Sequence, residues 1–251
     1  MLFAAGLGTR LRPLTDHMPK ALVPVGGRPL LDITASRLRA AGVTDIVVNV
    51  HHFAEQIIDY VAHHDFGMHI SISDESKNLL DTGGGLKKAL EVFNAESAEE
   101  HNKGKDHSAE HILIHNVDIL SNADLATFYA DNLDVDVALM VSPRKTQRYL
   151  LFNDEMQLVG WTNIATGEVR SPYAGLDVKT CRMYAFSGIH LVHPRIAKNM
   201  ECWPEKFPIM DFYLDQCAKL HIRGVLNPTL RLLDVGKQDT LKTAEDFLQT
   251  I

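Results

Sequence analysis

Cysteine is scarce in this sequence. The 251 residues hold three, Cys181, Cys202 and Cys217, an odd number without C-x-x-C spacing. That excludes a disulfide framework and a zinc knuckle, and fits thiols kept in a reducing compartment. Long apolar runs are missing too: none approaches the ~18 residues of a membrane helix. No basic stretch precedes an apolar one at the N-terminus, so neither a membrane span nor a secretory leader is expected, and the cytoplasm is the expected location. Excess positive charge is also absent, with 25 Lys and Arg against 32 Asp and Glu and a formal charge of −7. A broad nucleic-acid-binding face would need clustered Lys and Arg, so it is set aside. At 45% hydrophobic and 23% charged residues the chain is neither disordered nor collagen-like. It is long enough to build a core without staples.

What charge there is lies unevenly. Residues 1–40 hold Arg10, Arg12, Lys20, Arg28, Arg37 and Arg39 against Asp16 and Asp32, a balance of +4, which leaves −11 for the rest. A basic segment in an acidic protein suits an anionic ligand.

In the first half, short apolar runs alternate with helix-period segments. Strands are expected at Met1–Ala4, Asp45–Val50, His69–Ser73, Ile112–Val117 and Val135–Val141. Helices are expected over residues 29–41, Glu55–His64, Gly85–Phe93 and Asp124–Asp131. This alternation implies βαβ units around a mostly parallel sheet covered on both faces. The second half should add a hairpin (Tyr149–Asn153 with Gln157–Trp161) and a long strand, Met183–Val192. A helix over 208–220, a strand over Leu230–Val235 and a terminal helix, Lys237–Leu248, complete it. Residues 94–111 contain no apolar side chain larger than Ala and read as a solvated insertion.

Chemistry concentrates at Phe3-Ala-Ala-Gly-Leu-Gly-Thr-Arg-Leu-Arg-Pro-Leu-Thr15, followed by Pro19-Lys20 and Pro24-Val-Gly-Gly27. A strand runs into Gly6 and Gly8, which permit positive φ and let backbone N–H groups approach a phosphate. Arg10 adds a charged fork and Lys20 a point charge. Leu11 stands where a dinucleotide fingerprint needs its third glycine, which argues against a nicotinamide-dependent dehydrogenase. No Gly-Lys-Ser/Thr follows, which excludes a Walker A loop.

The segment resembles the signature of the sugar-phosphate nucleotidylyltransferases, G-x-G-T-R-L-x-P-L-T followed by P-K. The resemblance continues in order through Thr82-Gly-Gly-Gly85, Asn116-Val-Asp118, Phe186-Ser-Gly-Ile189 and Asp234-Val-Gly236. It implies a three-layer αβα, Rossmann-like nucleotide-diphospho-sugar transferase fold with a mixed, mostly parallel sheet. The expected organisation is one catalytic domain over 1–251, with its sugar-binding part at about 142–230 and no C-terminal β-helix domain. The implied reaction joins a sugar 1-phosphate to a nucleoside triphosphate and releases pyrophosphate, serving cell-envelope polysaccharide or peptidoglycan recycling. By the same resemblance Arg10 holds the β- and γ-phosphates, and Lys20 neutralises charge near the α-phosphate. Ala4, Ala5, Gly6, Gly8, Thr9, Arg10, Thr82, Gly83 and Gly84 contact the nucleotide, and Asn116, Ser187 and Gly188 the sugar. Asp118 and Asp234 each follow an apolar run, so each should sit at a strand end on the ligand rim. They are the expected ligands of Mg²⁺, which takes one or two carboxylates plus phosphates and water.

The compact subgroup it most resembles contains mannose-1-phosphate guanylyltransferases and N-acetylmuramate-1-phosphate uridylyltransferases, so UTP and GTP are the favoured nucleotides. A monomer or homodimer is expected. The alternative is a catalytically inactive nucleotide-sugar-binding regulatory subunit; Arg10, Lys20, Asp118 and Asp234 together weigh against it. One departure stands out. Relatives carry Glu-Lys-Pro after the central hairpin, with the lysine on the sugar phosphate, where this chain has Gly160-Trp-Thr-Asn163. Arg170, Lys179 and Arg182 are the substitutes left open. His51-His52 are expected to be structural, and Trp161 and Trp203 to pack.

Overall fold

Apolar residues at consecutive positions, rather than alternate ones, mark strands buried on both faces. Val47 turns to one side of the sheet and Ile46, Val48 and Val50 to the other, and all are buried. The structure, a computed structural model, describes residues 1–101 and 110–251, of 96–101 the backbone only. Its first half holds β1 (Leu2–Phe3), β2 (Pro24–Val25), β3 (Arg28–Pro29), β4 (Asp45–Val50), β5 (His69–Asp74), β6 (Ile112–Asn116) and β7 (Ile119–Ser121). The second half adds β8 (Val137–Ser142), β9 (Arg148–Phe152), β10 (Leu158–Asn163), β11 (Glu168–Arg170), β12 (Arg182–Val192), β13 (Ile222–Leu226) and β14 (Leu232–Asp234). The helices are α1 (Leu30–Ala40), α2 (Ala54–His63), α3 (Asp81–His101), α4 (Leu125–Ala130), α5 (Ala197–Met200), α6 (Ile209–Gln216) and α7 (Gln238–Leu248).

Ten strands form one mixed sheet in the order β11-β10-β9-β12-β6-β1-β4-β5, with β8 on β12 and β13 on β8. β1 is parallel to β4 and β6, and β4 to β5. β12 is antiparallel to both β6 and β8, so those two run in one direction and end on one rim. Helices α1, α2, α4 and α7 cover one face; α3, α5 and α6 cover the other. This is the expected three-layer arrangement. The hairpin β9–β10 and the long β12 also appear where expected.

Three expectations need correction. The helix expected over Gly85–Phe93 begins at Asp81 and continues through His101. The Thr82–Gly85 motif therefore forms the first helical turn. The polar stretch from Asn94 continues the helix because its Ala and Glu residues favour that state and a solvated helix needs no apolar face. Residues 102–109 of the expected insertion, with His107, lie outside the described residues. The helix expected over 208–220 closes at Gln216, where the Lys219 and Leu220 amides both turn back to the Gln216 carbonyl, at 2.8 and 2.9 Å.

Two histidines are buried within the sheet. His115 on β6 and His190 on β12 are 0% and 2% exposed. The His115 Nδ1 bonds the Asn116 carbonyl at 2.8 Å, and His190 Nδ1 meets the Tyr213 hydroxyl at 3.4 Å. Among the described residues neither Nε2 has a partner. Desolvation lowers His115 from 6.5 to about 4 and His190 to about 3. Both stay neutral in the fold while the unfolded chain takes up protons near 6.5, so stability is full above that value and falls as pH drops through it. Thermal unfolding measured from pH 7.5 to 4.5 is expected to show a progressive loss of melting temperature below about pH 6.5. A flat profile would contradict two neutral, buried imidazoles.

Candidate active site

The site begins where β1 ends. The Ala4 N–H donates to Asn49 Oδ1 at 2.8 Å, and Asn49 Nδ2 donates to Glu75 Oε1 at 2.7 Å. The other Glu75 oxygen accepts from the Leu80 N–H at 3.2 Å. Glu75 is buried, and desolvation raises its carboxyl above the ordinary range while these hydrogen bonds pull it back. Past Ala5 the chain opens to solvent at Gly6 and turns at Gly8 with φ of +63°. Gly6 does not use positive φ, contrary to expectation; a Cβ there would meet nothing within 4 Å. At Gly8 a Cβ would come within 2.8 Å of Thr15 Cγ2 and 3.2 Å of Lys20 Cβ. Glycine at that position lets the loop fold onto Lys20, and Thr15 Oγ1 locks it by donating to the Gly8 carbonyl at 2.8 Å. Thr9 and Arg10 ride on the short helical turn that follows.

The charges meet across this loop. Asp118 follows β6, and Asp234 is the last residue of β14. β14 pairs antiparallel with β7 so that Asp234 stands opposite Ile119, and the Val235 N–H donates to the Asp118 carbonyl at 2.8 Å. Two aspartates far apart in sequence thus become neighbours on the rim. Lys20, only 7% exposed, forms an ion pair with Asp118 Oδ2. Arg10 Nη2 lies 3.8 Å from Asp234 Oδ2. A Cβ on Gly236 would come within 2.6 Å of Asp234 Oδ1 and 2.8 Å of Arg10 Nη2, so the backbone at Gly236 lies directly beside this pair. Partial burial raises the Asp234 carboxyl above its ordinary value, and the Asp118 charge pushes the same way. Lys20, Arg10 and Arg144 oppose the shift.

The remaining expected contacts divide by position. Asn116 ends β6 beside Gly188, where a Cβ would fall 2.9 Å from Asn116 Nδ2; Gly188 adopts φ of +78° within an irregularity of β12. Ser187 turns inward and donates to the Met140 carbonyl at 2.8 Å. Thr82 Oγ1 accepts from the Ile209 N–H at 2.9 Å. The Gly83 and Gly84 amides both point to the Phe207 carbonyl, at 2.8 and 3.3 Å, and a Cβ on Gly84 would lie 2.0 Å from the Glu205 carbonyl oxygen. These glycines admit the 205–207 segment against the start of α3. His51 donates to the Glu75 carbonyl at 2.7 Å, a structural contact, and Trp203 packs on Phe207 and Phe212. Arg170 pairs with Asp211 and Arg182 with Asp154. Asn49, Glu75 and Arg144 were not singled out in the sequence; each reaches the site through a strand neighbour.

Among the described residues no three His, Cys, Asp or Glu side chains are grouped to hold a metal ion. The Asp118–Asp234 pair does suit a hard divalent cation that takes its other oxygens from phosphates and water. Asp234, raised by partial burial and by its Asp118 neighbour, belongs to a donor pair whose charge such a cation would offset.

A family model described as nucleotidyl transferase matches residues 1–148. Over 96 residues the chain is 48% identical to N-acetylmuramate alpha-1-phosphate uridylyltransferase of Caulobacter vibrioides, covering 37% of this chain and 40% of that protein. Over 95 residues it is 44% identical to mannose-1-phosphate guanyltransferase of Neurospora crassa, covering 37% of this chain and 26% of that one. The match thus spans less than half the length of either relative. HddC from Yersinia pseudotuberculosis, solved in complex with GMP-PN, shares the fold over 98% of this chain and 97% of its own, with a TM-score of 0.73 and 20% identity.

Two substitutions test the geometry. At neutral pH Asp234 carries the full cost of its raised ionisation, so Asp234→Asn is expected to leave the melting temperature of the free protein unchanged or higher. A clear fall would contradict the repulsive pairing. Gly84→Ala, which forces a Cβ into the Glu205 backbone, is expected to cost at least ~2 kcal/mol in denaturant unfolding; a neutral effect would contradict the close approach.

Proposed function

The chain belongs to the nucleotidyl transferase family, and we propose that it transfers a nucleotidyl group from a nucleoside triphosphate to a sugar 1-phosphate. The observation that carries the reading is the facing of Lys20 and Arg10 with Asp118 and Asp234 beside the open Gly6–Gly8 turn. A phosphate oxygen of the sugar 1-phosphate attacks the α-phosphorus in line. A new P–O bond forms, the α–β bridging P–O bond breaks, and pyrophosphate leaves with the electron pair. A phosphate is already ionised at neutral pH, so no protein nucleophile and no general base are required. Catalysis is then positioning plus charge stabilisation.

Arg10 neutralises the departing pyrophosphate and Lys20 the reacting α-phosphate. Ala4, Ala5, Gly6, Gly8 and Thr9 present the backbone that lines the nucleotide, with exposed Thr82 at the start of α3 as a second wall that Gly83 and Gly84, packed on residues 205–207, support from behind. Asn116 and Gly188 form the sugar side, and Ser187, turned inward onto the Met140 carbonyl, holds the strand behind them. Asp118 and Asp234 would hold Mg²⁺, which when bound supplies positive charge to the reacting phosphates. UTP and GTP are the proposed nucleotides, and N-acetylmuramate 1-phosphate and mannose 1-phosphate the first sugars to try, in keeping with cell-envelope polysaccharide synthesis or peptidoglycan recycling. The proposed compartment is the cytoplasm; no helix among the described residues is long and apolar enough to cross a membrane.

Pyrophosphate release, measured for four nucleoside triphosphates against those two sugars and glucose 1-phosphate with Mg²⁺, is expected to single out one pair. Lys20→Ala and Arg10→Ala are each expected to lower turnover by ~10²-fold or more while the fold persists. Near-normal release by folded Lys20→Ala would remove the assignment. A chain that binds nucleotide yet never releases pyrophosphate would be a regulatory subunit.

A further inference from the structure

The four charged groups of the site cancel: Arg10 and Lys20 are positive, Asp118 and Asp234 negative. Two anionic substrates must nevertheless meet there, and like charges at short range repel strongly in a partly buried site. Arg10, Lys20 and the Mg²⁺ that Asp118 and Asp234 would hold are assigned to the triphosphate, so a separate cation on the sugar side would ease the approach of the second anion. The candidates after the central hairpin are engaged elsewhere. Arg170 reaches Asp211 at 2.8 Å and lies 6.0 Å from the Trp161 ring, and Arg182 reaches Asp154 at 3.2 Å. Lys179 lies in the short turn Val178–Thr180 that precedes β12.

Strand register brings a different residue in. β6 and β8 run in one direction, so the end of β8 shares the rim on which Asp118 follows β6. β8 and then β9 pair in turn along β12: Ser142 stands opposite Ala185, and Leu150 opposite Tyr184. Residues 143–147 are pushed out between those two pairings. Arg144, in that loop, folds back so that its Nη2 donates to the Phe186 carbonyl at 2.9 Å. Phe186 lies two residues before Gly188, which sits against Asn116 at the end of β6. Among the described residues Arg144 pairs with no carboxylate. One bond to a backbone carbonyl fixes the direction of the guanidinium and leaves further N–H groups for an anion, the fork geometry suited to phosphate.

We propose that Arg144 binds the phosphate of the sugar 1-phosphate and holds it toward Asp118 and Asp234. This assignment rests on the nucleotidyl-transfer reading and deepens it. Arg144 is exposed, so its replacement should leave the fold intact, which melting temperature will verify.

The test is steady-state pyrophosphate release by the wild type and by Arg144→Ala, Arg144→Lys, Lys145→Ala and Arg182→Ala, with each substrate varied in turn. Arg144→Ala is expected to raise KM for the sugar 1-phosphate about tenfold or more, the scale of one lost charged hydrogen-bonding group. KM for the triphosphate should stay within about twofold, and Arg144→Lys should recover part of the loss because it restores charge without the fork. Lys145→Ala and Arg182→Ala should change neither constant. Unchanged sugar-phosphate KM in Arg144→Ala, an equal rise in both KM values, or the whole effect appearing in Lys145→Ala would overturn the assignment while leaving the transferase reading in place. A wild type inert toward the whole substrate panel would overturn both together.

Discussion

The rest of the site depends on one antiparallel pairing, β14 against β7. It sets Asp234 opposite Ile119 and ties the Val235 amide to the Asp118 carbonyl, so two carboxylates from distant parts of the chain sit side by side. Left alone, that pair would be repulsive, and the Asp234 carboxyl is raised first by burial and then by the Asp118 charge. The basic loop after β1 answers it: Lys20 is buried against Asp118, and Arg10 lies across Asp234 and Gly236. Charge on the rim is balanced yet frustrated, as suits a place where a cation and phosphates are to be exchanged for one another.

The backbone around the rim is held by a second set of contacts. Asn49 accepts the Ala4 amide and donates to Glu75, so the end of β1 is pinned from β4 and β5 beneath it. The satisfied, buried carboxylate of Glu75 leaves little slack, since a wrong spacing would leave a buried charge without its hydrogen bonds. Close approach explains the glycines nearby. Gly85 leaves room for Glu75 and Asn49, and Gly83 and Gly84 admit the 205–207 segment.

Much of this was legible in the sequence. β1, β4 and β6 were readable because strands buried on both faces become continuous apolar runs, and the ordered motifs named the Gly loop and both aspartates. Three features were not, for physical reasons. The helix was expected to begin only at Gly85 because successive glycines are poor helix formers, yet tertiary contact with residues 205–207 holds Thr82–Gly84 in its first turn. β13 was missed because Gly224 interrupts its pattern; the glycine is there to clear the Phe152 ring, whose Cε1 would lie 2.6 Å from a Cβ. Arg144 was missed because proximity along the chain pointed past the hairpin, whereas the register of β8 and β9 along β12 decides which cation returns to the rim.

The central claim is that Lys20, Arg10, Asp118 and Asp234 act as one site for a triphosphate and a divalent ion together. Calorimetric titration of the wild type and Asp234→Asn with UTP and with GTP, each with and without Mg²⁺, tests it most directly. The expected result is mutual enhancement: Mg²⁺ tightens binding of the accepted triphosphate about tenfold or more in the wild type, and Asp234→Asn abolishes the enhancement. Triphosphate binding that is indifferent to Mg²⁺, or enhancement that survives in Asp234→Asn, would contradict it.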